Sequence, residues 1–115
     1  MKTKLRTSLA LIAFISAPLL FAGSTGEELW SKNCKKCHGD DGKADTAMGQ
    51  KFGIKDYTDP AVQSTFSDEE IRDAIVNGLT NEDGRKVMLA FGKRLSEEDV
   101  DLLVSYVRSL EKDAE

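Results

Sequence analysis

The stretch SKNCKKCHGD places Cys34, Cys37 and His38 within five residues, and they are the only two cysteines and the only histidine of the 115-residue chain. Two thiols beside an imidazole can ligate a metal, exchange disulfides or anchor a prosthetic group, and each chemistry needs different company. A structural zinc site takes four ligands and is poorly served here, where Cys and His together number three. A thiol–disulfide oxidoreductase would also use C-x-x-C, but it normally opens a helix after a strand in a βαβ pattern. Here the pair falls at the end of an expected helix, in a chain where no segment alternates as a strand should.

The third reading is covalent haem attachment, for which C-x-x-C-H is the signature. Two cysteines three apart lie on one face of a helical turn, so both thiols can add to vinyl groups on neighbouring pyrrole rings. The next residue then projects its imidazole toward the iron. On this reading Cys34 and Cys37 hold one haem c per chain covalently, and His38 is the proximal axial ligand.

The elements that must position these residues are helices. Leu29, Trp30, Asn33, Cys34 and Cys37 recur at three-and-four spacing and predict a helix from Glu27 to about Cys37, stopped by Gly39. Residues 44–58 have no sustained period and read as an irregular loop. Asp59 and Pro60 are the cap and first position of a short helix. Ser67 and Glu70 form a capping box for a helix carrying Ile71, Ala74 and Ile75, which Gly78 ends. Residues 79–95 again read as a loop. Ser96 then caps a last helix that turns Val100, Leu103, Val104, Val107 and Leu110 inward. The fold class is all-α, with helices at both ends and loops that wrap something.

Residues 1–22 read as a secretory signal peptide: Lys2, Lys4 and Arg6 precede an apolar run broken at Pro18, and small residues follow. Cleavage is expected after Ala22, with Ser24 as the alternative, leaving a domain over residues 23–115. The run is shorter than the roughly 20 apolar residues of a spanning helix, so no stable membrane insertion is expected. Removing it leaves thirteen basic against twenty acidic side chains, a formal charge near −7 that disfavours nucleic acid as a partner. The mature protein is expected to be soluble, monomeric and periplasmic or otherwise exported. So small a domain needs a staple, and a large bound group would supply one.

Over essentially its whole mature length the chain resembles the class I c-type cytochromes, small soluble monohaem electron carriers. Gly26 and Trp30 stand eight and four residues before the first haem cysteine, and Tyr106 lies on the last helix, as that family has them. The resemblance implies the cytochrome c fold: N- and C-terminal helices crossing, with three to five helices and loops wrapped around one covalently bound haem. It implies that Gly26 lets the crossing helices approach, with Trp30 stacked on Tyr106. Met88, in VMLAFGKRLSEED, sits where the family's Met-Pro-Ala-Phe-Gly loop carries the distal axial ligand, with Leu89 in place of proline. Gly49 to Phe52 resembles the family's Gly-Pro-x-Leu turn. That match would give His38 the carbonyl of Gln50 as its hydrogen-bond acceptor and would put Met48 on the wrong side to reach iron.

The function implied is one-electron transfer without catalysis, between a donor and an acceptor that the sequence does not name. A neutral imidazole and a neutral thioether suit both iron oxidation states. Trp30, Phe52, Ile54, Leu79, Phe91 and Leu103 are expected haem or core contacts, and Tyr57 is either a propionate partner or a surface tyrosine. Lys35, Lys36, Lys51, Lys55, Arg85, Lys86, Lys93 and Arg94 are expected to border the haem crevice as a basic collar for redox partners. Two other functions stay open. A gas-binding or catalytic haem protein would have an open sixth site, and a thiol–disulfide oxidoreductase would be colourless with titratable thiols.

Overall fold

The computed structural model describes residues 10–16 and 23–112. The expected signal-peptide residues 1–9 and 17–22, with the cleavage position at Ala22, lie outside the described residues. Residues 10–16 form no helix or strand, and Leu11, Ile12, Phe14 and Ile15 are exposed.

Helix α1 (Gly26–Asn33) starts at Thr25, whose hydroxyl accepts from Glu28 N while the Glu28 carboxylate accepts from Thr25 N. This reciprocal box satisfies two orphan donors of the first turn. At Cys34 the helix breaks, and a single turn, α2 (Lys35–His38), carries the motif onward to Gly39. The helix expected from Glu27 to Cys37 is therefore two segments. Gly39 ends the second at φ 80°, where a side chain would be strained.

The loop expected over residues 44–58 contains a helix, α3 (Ala47–Phe52), capped by Thr46 and closed by Gly53. With Gly49 in its middle and no apolar stripe, it has no periodic signal to read. Next, α4 (Pro60–Gln63) has Asp59 accepting from Ala61 N, as expected, and α5 (Asp68–Asn77) has the Ser67/Glu70 box. Two short strands, β1 (Leu79–Thr80) and β2 (Lys86–Met88), form an antiparallel hairpin where a loop was expected. Five residues of strand are too few to alternate legibly. The last helix, α6 (Glu97–Ser109), is capped by Ser96 and buries Val100, Leu103, Val104 and Val107, with Leu110 half-buried behind them. The all-α class stands, with six helical segments among the described residues.

The core is one cluster. Leu29 and Trp30 of α1, Ile71 and Ile75 of α5, and Phe91 pack on the buried face of α6. Helices α1 and α6 cross closely because Gly26 has no side chain: a Cβ there would lie 2.9 Å from Leu102 O and 3.0 Å from Tyr106 Cβ. Trp30 and Tyr106 meet at the crossing, with ring centroids 5.5 Å apart at 49°. Such tilted aromatic pairs add about 0.5–1.5 kcal/mol to simple burial. Gly26→Val should therefore wedge the crossing open and destabilise the protein by about 1–3 kcal/mol in denaturant unfolding; a change below 0.5 kcal/mol would show that the helices do not need this contact (the threshold being roughly the scatter of surface mutations).

Candidate functional site

A cleft-like cavity of about 230 Å³ opens between α1, α5, α6 and the hairpin. Trp30, Cys34, His38, Tyr57 and Met88 line it together with apolar side chains of α5 and α6. Three of the four expected site residues thus share one cavity: Cys34, His38 and Met88. Cys37, half-buried on α2, is not part of the lining.

The motif is held by its own turn. Cys37 N and His38 N donate to Cys34 O, Gly39 N donates to Lys35 O, and Ala44 N donates to His38 O at 2.8 Å. Trp30 Nε1 reaches across to donate to Gly39 O at 2.8 Å, locking the end of the motif to α1. Thr46 does the same for the other side, donating its hydroxyl to Cys37 O at 2.6 Å while accepting from Gly49 N.

The His38 ring packs against both Trp30 and Tyr57, 5.4 Å from the first centroid at 46° and 5.3 Å from the second at 25°. Burial pushes the imidazole pKa below its ordinary value and so favours the neutral ring that ligates metals. Its Nδ1 is buried without a hydrogen-bond partner. The acceptor expected at Gln50 is therefore not in place, because residues 49–52 are wound into α3 instead of forming the turn that would aim that carbonyl. Met48, on α3, is half-buried and away from the cavity lining, as expected.

Cys34 and Cys37 are free thiols. Burial, with a smaller contribution from Cys37, pushes the Cys34 thiol up to about 11. A disulfide-exchange nucleophile needs the opposite, a thiolate favoured by positive surroundings. The donor set fits haem c instead: two uncrosslinked thiols on one turn, a neutral imidazole at the wall of an apolar cavity, and a thioether on another wall.

Among the other expected contacts, Trp30, Leu79 and Leu103 line the cavity, and Phe91 is in the core cluster. Phe52, at the end of α3, is exposed and Ile54, beyond the Gly53 cap, is half-buried, and neither reaches the lining. Tyr57 lines the cavity and is not a surface residue; burial also raises its phenol pKa.

Composition and spacing gave no notice of Gln63 and Arg108. The buried Gln63 amide donates to Tyr57 O and Val107 O, both at 2.8 Å. Arg108 donates to Gln63 O, Gln63 Oε1, Phe66 O and Asp68 Oδ1, with its guanidinium 5.2 Å from the Phe66 ring centre. The only sequence signal was a glutamine at the end of a one-turn helix. Together they fasten the Tyr57–Phe66 wall of the cavity to α6. Gln63→Leu should cost about 2–4 kcal/mol of unfolding free energy, because the Tyr57 carbonyl and an Arg108 guanidinium N–H lose their partner and the Val107 carbonyl keeps only the longer bond from Leu110 N; a loss inside the scatter of surface mutations would show the network to be idle.

Residues 21–107 match the family model described as Cytochrome C oxidase, cbb3-type, subunit III. Cytochrome c6 of Pyropia yezoensis is 32% identical over 95% of this chain and 94% of its own length. The Cbb3-type cytochrome c oxidase subunit FixP of Azorhizobium caulinodans is 36% identical over 77% of this chain, which spans only 27% of that subunit. Among solved structures, the KustC0563 c-type cytochrome superposes with a TM-score of 0.68 at 34% identity, covering 77% of this chain and all of that one. The chain belongs to this cytochrome c family, as a small class I c-type cytochrome with a covalently bound haem c and a role in electron transfer.

Proposed function

We propose that the protein is a soluble, exported one-electron carrier, periplasmic in a bacterial cell, with haem c held through Cys34 and Cys37 and ligated axially by His38 and Met88. The observation that carries this reading is the sharing of one apolar cavity by Cys34, His38 and Met88. When bound, haem c supplies reversible one-electron chemistry at iron.

The protein's own residues do the rest. Trp30 and Tyr57 both pack against the His38 ring, so its plane is set by packing, and Nδ1 is left without the acceptor that usually raises a ligating imidazole's basicity. Ile71, Ala74, Ile75, Leu103 and Val107 give the cavity apolar walls. An apolar surround and a thioether ligand both favour the reduced state.

Export rests on the sequence of residues 1–22, with cleavage after Ala22 or Ser24 leaving the domain of residues 23–115. In support, the described part of the leader makes no element of the fold, and no helix among the described residues is long and apolar enough to cross a membrane. The carrier acts as a monomer toward redox partners of opposite local charge. Lys35, Lys36, Lys51, Lys55, Arg85, Lys86, Lys93 and Arg94 are all exposed, and of these only Lys35 has an ion-pair partner among the described residues, Asp40 at 3.2 Å.

An optical spectrum of protein matured in a host that attaches haem tests the reading. It should show c-type bands that survive denaturing extraction and, when oxidised, a methionine-to-iron charge-transfer band. Met88→Ala should abolish that band and lower the reduction potential by on the order of 0.1 V or more, within the roughly 0.8 V that axial ligands command; a band unchanged in Met88→Ala would overturn the ligand assignment. For the collar, electron-transfer rates with an anionic partner should fall as ionic strength rises, since exposed charges are screened within about 10 Å at 0.1 M salt; flat rates would remove it. The mass of the exported protein should match a start at Gly23 or Thr25.

A further inference from the structure

Met88 is held by backbone, on both sides of itself. Upstream, β2 pairs Met88 with Leu79 and Lys86 with Thr80, so Val87 is an extra residue bulged out of the ladder. A bulge of this kind bends the strand and re-aims the side chain that follows. Asn81 fixes the hairpin tip, its side-chain oxygen accepting from Asp83 N and Arg85 N while its backbone N–H donates to Arg85 O. Downstream, Phe91 N donates to Ile75 O at 2.9 Å and Gly92 N to Val76 O at 3.1 Å. Those carbonyls belong to the last turn of α5 and have no partner within the helix.

Between the two fastenings the segment crosses directly over Gly78, the residue that ends α5. A Cβ on Gly78 would lie 2.5 Å from Met88 O, 2.9 Å from Ala90 N and 3.0 Å from Leu89 C, all of them backbone atoms. The glycine also has φ 72° and ψ −175°, a conformation almost closed to other residues. Leu89, where proline stands in the family's loop, lends only its backbone to this crossing, and the residue is 61% exposed.

We propose that the hairpin, Gly78 and the α5 carbonyls form a backbone clamp that positions Met88 for the iron, doing the work a proline at position 89 would otherwise do. The inference rests on the proposed role of Met88 as sixth ligand and goes beyond it. Sequence position 89 alone reads as a loosening of the loop, whereas the clamp leaves nothing there to loosen. Gly78 is a positioning residue: it acts on the ligand through the backbone of residues 88–90, and Gly92, whose Cβ would meet Val76 O at 2.9 Å, closes the downstream end.

The test is made on oxidised holoprotein, with imidazole as a probe that competes for the methionine's place and so reports how often the loop lets go. Gly78→Ala should speed imidazole binding at least about fivefold and weaken the charge-transfer band, and Gly92→Ala should move both in the same direction by less. Thr25→Ala, which removes the side-chain cap of α1 and lies outside the cavity lining, controls for global stability and should bind imidazole within about twofold of the parent. Leu89→Pro should change the parent within about twofold, yet recover much of the lost ligand retention when combined with Gly78→Ala. Should Gly78→Ala fail to fold, Gly92→Ala and the Leu89→Pro parent carry the test.

The clamp is overturned if Gly92→Ala and Gly78→Ala bind imidazole at the parental rate, if Thr25→Ala accelerates binding as much as they do, or if Leu89→Pro alone slows it tenfold. A parent protein without the charge-transfer band would instead remove Met88 as ligand, an outcome separate from all of these.

Discussion

Helices α1, α5 and α6 surround apolar space that their own side chains leave open, and the rest of the molecule is arranged around that fact. Among the described residues the buried apolar set is small, ten side chains from Leu29 to Val107 along the sequence. The cavity beside it measures about 230 Å³ and is lined almost wholly by carbon. A bound group seated in this cleft takes the apolar side chains of its walls out of water and so extends the small core. Covalent attachment then makes structural sense as well as chemical sense, because a group that completes the core cannot be allowed to leave.

Walls around such a cavity cannot hold themselves in place by packing across it, and the fold uses polar ties behind them instead. Trp30 Nε1 on Gly39 O secures the wall that carries the motif. Gln63 and Arg108 secure the Tyr57–Phe66 wall to α6 through six hydrogen bonds in all. The carbonyls of Ile75 and Val76 secure the wall that carries Met88. In each case a loop is joined to a helix through a group that the loop or the helix would otherwise leave unpaired. Burying these ties raises the cost of breaking any one of them.

What could be read in the sequence was whatever announces itself within one element. The capping box at Ser67, the Ser96 cap, the Asp59–Pro60 start and the apolar stripe of α6 are local signals, and the structure has them where they were expected. The motif Cys34–Cys37–His38 is local too. The hairpin was illegible because its strands are two and three residues long and paired through a bulge. Helix α3 was illegible because Gly49 sits in it and no stripe marks its buried side, and that same helix removed Gln50 from the place the family's turn would have given it. Gln63 and Arg108 lie 45 residues apart and declare themselves only when the fold brings them together.

The charges obey the same division between what the fold uses and what it leaves free. Glu28, Glu70 and Asp99 are each engaged as the returning half of a capping box, and their neighbours in the first turns face helix dipoles that favour them. Acidic side chains are thus largely committed to holding helices, which is why an excess of them need not make a docking surface. The basic side chains flanking the motif and the Met88 segment carry little of this structural duty: Arg94 lies over the Phe91 ring at 4.9 Å and Lys51 over Phe52 at 5.3 Å, and both remain exposed. A site built from neutral donors inside apolar walls keeps its own charge change small and buried. Recognition by another protein then falls to the exposed rim, where net charge counts for less than which sign the fold has left unspent.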